Sequence, residues 1–228
     1  MVVEGQTEEV FVNDLLAPEL GACGIFIDAH RITTGRKHGR LHRGGWDSYA
    51  KLLRDLVLWM KQDQSAESRF STMVDLYGLP EDFPGYAACA TIVEPRRRVE
   101  SLEEHLVRDV EERLGNNVVS RRLIPYIQLH EFEALLFADP SKFLAAFPDQ
   151  YAAVDRLQAI RTECGGPEDI DDGETTAPSQ RILEVLPEYV KPVSGLLVVK
   201  QIGLSNLRRE CPHFDCWIAR LLQLVSNT

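Results

Sequence analysis

Glu4, Glu8, Asp75, Glu131 and Glu133 are the side chains whose type and spacing could carry chemistry, because they form three groups where short apolar runs end: Glu4 with Glu8, Asp75, and Glu131 with Glu133. Carboxylates on adjacent strand tips, open to a phosphate, suit magnesium or manganese, which take oxygen ligands and keep several waters. Two such ions could share the space. In Glu4-Gly5-Gln6-Thr7-Glu8-Glu9 one carboxylate stands at the mouth of a strand and another lies one turn into the following helix. Each acid also has a structural reading. Glu8 and Glu9 favour the macrodipole of a first helical turn, Asp75 can open a turn, and Glu131 can lie on a solvated helical face. In Asp75-Leu76-Tyr77-Gly78-Leu79-Pro80-Glu81-Asp82-Phe83-Pro84-Gly85, Gly and Pro fix a rigid turn behind the acid. Asp82 either joins the site or bonds its own loop backbone.

Basic side chains could meet a polyanion. Between His30 and Arg43 the chain carries Arg31, Arg36, Lys37, Arg40 and Arg43 with no acid before Asp47. Guanidinium groups grip phosphates in bidentate fashion, so Arg36, Lys37, Arg40 and Arg43 are the candidates for nucleic-acid contact, against a loop that merely keeps the protein solvated. Lys200, alone in an apolar run, could steady a pentavalent phosphate or snorkel to the surface. His130-Glu131-Phe132-Glu133 begins like a zinc-protease helix, but Ala134 stands where the second histidine is required. Cys211-Pro212-His213-Phe214-Asp215-Cys216 lacks a second ligand pair and reads as helix packing rather than a zinc site.

The elements that must position these groups follow from periodicity. Val2-Val3 predicts a strand, Gly5 a turn, and Thr7 an N-cap for a helix over Glu8–Leu16. Gly24–Ala29 reads as a second strand, followed by a long Gly- and His-containing loop to Gly45. Leu52, Leu53, Leu56 and Met60 recur at helical spacing over Trp46–Lys61, and Phe70–Asp75 reads as a buried strand. A helix is expected over Glu100–Leu114, with Ser101 and Glu104 as a capping box, and a strand over Leu123–Leu129. This alternation predicts an α/β fold with a mainly parallel central sheet, helices on both faces and ligands beyond the carboxyl ends of the strands. From Cys164 to Ser179 the polar, breaker-rich sequence predicts an exposed loop. It leads to a C-terminal helical portion with helices over Arg181–Leu186 and Phe214–Leu224, while Leu196–Ile202 is an apolar element of either type. One domain is expected, residues 1–140 as sheet core and 141–228 as the helical portion.

With 228 residues and 44% hydrophobic content the chain can bury one substantial core. A formal charge of -10 and a pI near 5.1 exclude coating nucleic acid by bulk electrostatics, so any polyanion must be met by a local patch or through cations. Five dispersed cysteines behind no leader peptide suggest free thiols in a reducing cytoplasm. No apolar stretch approaches the roughly 20 residues of a membrane span. No phosphate-binding P-loop string occurs, so any nucleotide sensing would come from another subunit.

Taken together, the Glu4–Glu9 string, Asp75–Pro80 with Asp82–Gly85, His130–Phe137, Asp172-Gly173 with Thr176–Ser179, and Cys211–Phe214 resemble the toprim-like domain-of-unknown-function family four-two-seven-six over nearly the whole chain. The resemblance implies a toprim-like α/β fold, similar to that of topoisomerases, primases and overcoming-lysogenization-defect nucleases. It also implies Mg2+- or Mn2+-dependent cleavage of DNA or RNA. Glu4 matches the general toprim glutamate, Asp75 the first acid of the usual Asp-x-Asp pair, and Glu8 the acid of the nuclease branch. Tyr77 replaces the second Asp, so Glu131 or Glu133 would have to complete the sphere, with Lys200 as an auxiliary cation. The family's members look like effectors encoded beside ABC- or SMC-like ATPases in bacterial anti-phage systems, which makes such an ATPase the expected partner. A non-catalytic subunit that docks on the ATPase is the rival expectation.

Overall fold

The computed structural model describes residues 1–37, 40–43, 46–115, 119–170 and 176–226. The fold is α/β with a parallel sheet, and the chain divides into two compact units: Met1–Glu9 with Asp28–Gln128, and Val10–Ile27 with Leu129–Thr228.

The first unit holds the strands: β1 (Val2–Val3), β2 (His30–Arg31), β3 (Thr33–Lys37), β4 (Arg40–Arg43), β5 (Phe70–Asp75), β6 (Leu123–Ile124) and β7 (Ile127–Gln128). The sheet runs β2-β1-β5-β6, with β7 also beside β5, and every pairing in it is parallel. β5 is flanked on both sides, and all six of its residues are buried, as expected for an interior parallel strand. The single strand expected over Leu123–Leu129 is two short ones. Pro125 has no N–H for the ladder, and the Thr72 hydroxyl takes over at the break, accepting from the Tyr126 N–H and donating to the Tyr126 carbonyl, both at 3.0 Å.

Other boundaries differ for equally local reasons. The strand expected over Gly24–Ala29 is displaced to His30–Arg31, where the His30 N–H donates to Met1 O and the Ile32 N–H to Val3 O, each at 2.9 Å. The Ile25 N–H instead donates to Leu20 O, and Phe26 is 91% exposed. The helix expected from Glu8 begins at Gln6, so Thr7 is a buried first-turn residue rather than the cap. The long basic loop is an antiparallel ribbon of β3 and β4, pairing Arg36 with Leu41 and Lys37 with Arg40, with a register shift between Thr33 and Gly35. Its root is clamped by the helix Tyr49–Gln62: the Thr33 N–H donates to Asp55 at 2.7 Å, and Arg54 donates to the Thr33 carbonyl at 2.5 Å. His38, Gly39, Gly44 and Gly45 lie outside the described residues.

Caps define the two long helices of this unit. Ser48 caps Tyr49–Gln62, its hydroxyl accepting from the Ala50 N–H at 3.3 Å, and Asp82 supports the cap by accepting from the Tyr49 N–H and the Ser48 hydroxyl, both at 2.8 Å. The second helix runs Pro95–Leu114 rather than from Glu100, because the Glu94 carboxylate accepts from the N–H groups of Arg96 and Arg97, and Pro95 suits the first helical position. Ser101 therefore lies inside it.

The second unit is helical, with Val12–Leu16, Ala17–Gly21, Phe132–Ala138, Tyr151–Cys164, Pro178–Val185, Leu196–Ile202, Leu204–Glu210 and Pro212–Ser226 among its elements. Leu196–Ile202 resolves as a helix. Phe11, Phe132 and Phe214 meet in the core, with the Phe11 ring edge-on to Phe132 at 5.5 Å and 6.2 Å from Phe214. The loop expected to be wholly exposed contains Glu168, which is 8% exposed. Its two carboxylate oxygens accept from the His213 and Phe214 N–H groups at 2.9 and 3.0 Å, satisfying donors at the start of Pro212–Ser226. His130, in the left-handed region at φ 62°, is 2.9 Å through Nε2 from the Glu168 carbonyl. Asp172-Gly173 lies outside the described residues. Cys211 is buried and Cys216 exposed, and burial pushes the Cys211 thiol well up. Among the described residues no helix is long and apolar enough to cross a membrane.

Candidate functional site

Parallel pairing of β1 with β5 fixes where the first acids go. Val3 lies beside Met73, and the Glu4 N–H donates to the Met73 carbonyl at 3.0 Å, so Glu4 leaves the sheet where β5 reaches Asp75. The Asp75 N–H then donates to Glu4 Oε2 at 2.9 Å. Residues 71 apart thus meet at one carboxyl edge. The chain leaves β1 toward β2 on one side and β5 toward β6 and β7 on the other, so the two acids flank the point where the connections diverge. Open α/β sheets characteristically bind ligands at that point.

The neighbouring glycines are shaped to these carboxylates. A Cβ at Gly78 would come within 2.7 and 2.8 Å of the two Glu4 oxygens, so the turn Leu76–Gly78 after β5 lets the Glu4 carboxylate lie directly against it, and a side chain there would displace that carboxylate. A Cβ at Gly5 would be 3.0 Å from Glu8 Oε2, which places the carboxylate of Glu8, 3% exposed, back over the turn that follows Glu4. Asp75 is 6% exposed. Tyr77 is 38% exposed.

Among the described residues no group of three or more His, Cys, Asp or Glu side chains stands together as a metal cluster. The donor set still fits a hard cation. Magnesium is commonly held by one or two carboxylates, with water and substrate phosphate filling the rest of its octahedron.

The later acids belong to the second unit. Glu131 Oε1 accepts from the Ser179 N–H at 2.6 Å, at the first turn of Pro178–Val185. Glu133 is buried 3.3 Å from the Lys191 ammonium, and its other oxygen accepts from the Tyr189 hydroxyl at 3.4 Å. Burial pushes the Glu133 carboxyl above its ordinary range; Lys191 opposes the rise and the charge of Glu131 adds to it. The Tyr189 hydroxyl is raised mainly by burial, with Glu133 adding to the effect. Lys200 pairs with Asp14 at 2.7 Å, both side chains partly exposed. Asp82 accepts from the Ser48 hydroxyl and the Tyr49 N–H at the start of Tyr49–Gln62.

Two participants escaped the sequence reading. Gly78 looked like part of a rigid turn, and only the fold shows a carboxylate against it. Arg31 belonged to a basic stretch, yet it ends β2 at the carboxyl edge and its Nε lies 3.0 Å from Glu9 Oε2. Strand order, which single-chain patterning does not encode, was the missing signal.

A parallel α/β sheet with carboxylates at its strand ends is the class these features define. Residues 3–222 match the family model described as Domain of unknown function (DUF4276), and the chain belongs to that family. No curated protein and no solved structure matches it.

Proposed function

We propose that this chain is a toprim-type nuclease that uses Mg2+ or Mn2+ to cleave phosphodiester bonds of DNA or RNA, acting in the cytoplasm as the effector of an anti-phage system with an ABC- or SMC-like ATPase. The observation that supports it is the Asp75 N–H donating to Glu4 Oε2 at 2.9 Å, which joins two acids distant in sequence at the carboxyl edge of adjacent parallel strands. Glu4 and Asp75, with Glu8 beside them, would hold the ion. When bound, it would supply a polarised phosphate and an activated water. Glu4 itself is oriented by the Asp75 amide and by the close approach of Gly78.

The test is cleavage of mixed DNA and RNA substrates in manganese, with and without the ATPase. Wild type is expected to cut and Glu4→Ala to be inactive, and equal cutting by the two proteins would end the assignment.

A second reading is a non-catalytic subunit that docks on and restrains the ATPase. Tyr77, at the position of a second acid, and the lack of a three-acid group among the described residues favour it. Calorimetry separates the two. Manganese binding lost in Glu4→Ala supports the nuclease, whereas a stable ATPase complex without metal binding supports docking.

A further inference from the structure

Arg31 ends β2, and β2 lies directly beside β1 with Val3 opposite Arg31. Val3 in turn lies opposite Met73. Side chains in register across parallel strands share a face, and residues two apart on one strand return to it, so Arg31 and Asp75 emerge on the same face of the sheet at its carboxyl edge. Neighbouring strands are about 4.8 Å apart, which puts Arg31 one strand from the start of the Glu4 turn and two from β5. Glu9, on the helix that follows Glu4, forms an ion pair with the guanidinium, its Oε2 lying 3.0 Å from an Nε that finds no hydrogen-bond partner among the described residues, and both side chains are partly exposed. A guanidinium carries five N–H donors in a rigid fork, more than one carboxylate satisfies.

We propose that Arg31, ion-paired with Glu9, is a substrate-binding residue that grips a backbone phosphate of the nucleic acid at the Glu4–Asp75 edge. The role rests on the nuclease reading. It supplies a positive group on the same sheet edge as the acids, in a chain of formal charge -10. The strand end sets the position of Arg31 and the ion pair with Glu9 keeps its guanidinium at that edge, a preorganisation that surface lysines do not have.

The test uses the full chain as wild type, Arg31→Gln and Arg31→Lys, titrated in manganese with a labelled single-stranded phosphorothioate oligonucleotide, which resists hydrolysis, at several salt concentrations. Arg31→Gln is expected to weaken binding about tenfold and to lower the slope of log affinity against log salt by about 0.7, the value of one lost single-strand phosphate contact. Arg31→Lys should keep the slope with intermediate affinity, and manganese binding by calorimetry should be unchanged in both. Unchanged affinity and slope in Arg31→Gln overturn the role. So does weaker binding that tracks lost thermal stability at constant slope, which marks a structural staple, or a wild type that does not bind the oligonucleotide. Failure of the nuclease reading is seen separately, as manganese-dependent cutting that survives Glu4→Ala.

Discussion

The acids at the edge of the sheet and the acids inside the helical unit are the same chemical groups in opposite circumstances. Glu4 accepts from the backbone of the neighbouring strand end and lies against a glycine turn. Glu133 and Glu168, by contrast, are enclosed by partners that use their charge for folding: a lysine and a tyrosine for Glu133, and two helix N–H groups for Glu168. A carboxylate at a strand end stands at the edge where open parallel sheets bind ligands. One that is itself buried against a partly exposed lysine, or that satisfies a helix start, is committed to stability. The two regions should therefore respond differently to substitution, the edge in chemistry and the interior in folding.

The largest stability loss should come from Glu168→Ala, which strips the acceptors from two buried N–H groups at 2.9 and 3.0 Å. We expect a cost on the order of 3 kcal/mol in urea unfolding. A cost below about 1 kcal/mol would remove Glu168 from the interior class. Next is a pair within one motif. Gly85→Ala must adopt φ 78° with its Cβ 2.3 Å from the His105 ring, and should destabilise by about 2 kcal/mol. Gly78→Ala meets only the movable end of Glu4, and should weaken manganese binding while leaving the urea midpoint nearly unchanged. If the two alanines behave alike in both assays, edge and scaffold are not distinct.

Legibility in the sequence followed the same division. Phe70–Asp75 and Tyr49–Gln62 could be read because a continuous apolar run and a 3.6-residue period each admit one dominant solution. Gly24–Ala29 misled because apolar composition cannot separate a paired strand from a crossing segment that leaves Phe26 in solvent. The ribbon of β3 and β4 was hidden by its charge, since its ladder is made by backbone and its sequence carries no apolar alternation. Glu168 was hidden because polarity was equated with exposure, whereas a carboxylate is a good buried cap when two N–H groups wait for it. At the site, the acids could be found from the strand-then-acid pattern, but that pattern gave Glu4 and Glu131 equal standing. Only pairing distinguishes a strand-end acid bonded across the sheet from one bonded to the Ser179 N–H.

A subtler effect concerns pH. The Glu133 carboxyl is raised in the folded state by burial, so between its ordinary and raised values the native protein holds a proton that the unfolded chain has released. Stability must then fall as pH rises through that window. Glu133→Gln should flatten this part of a series of urea midpoints, and an identical slope in both proteins would contradict the assignment. The smallest effect is expected from Lys200→Ala, whose partly exposed pair with Asp14 should contribute less than about 1 kcal/mol. Its cutting should match wild type, and a large loss would restore Lys200 to the site.

The most direct measurement is anomalous scattering from crystals grown with manganese. A peak at coordination distance from the carboxylates of Glu4 and Asp75, absent in Glu4→Ala crystals, is the expected result. Well-ordered carboxylates with no peak between them, or a peak only among the acids of the helical unit, would contradict the placement of the metal at the strand edge.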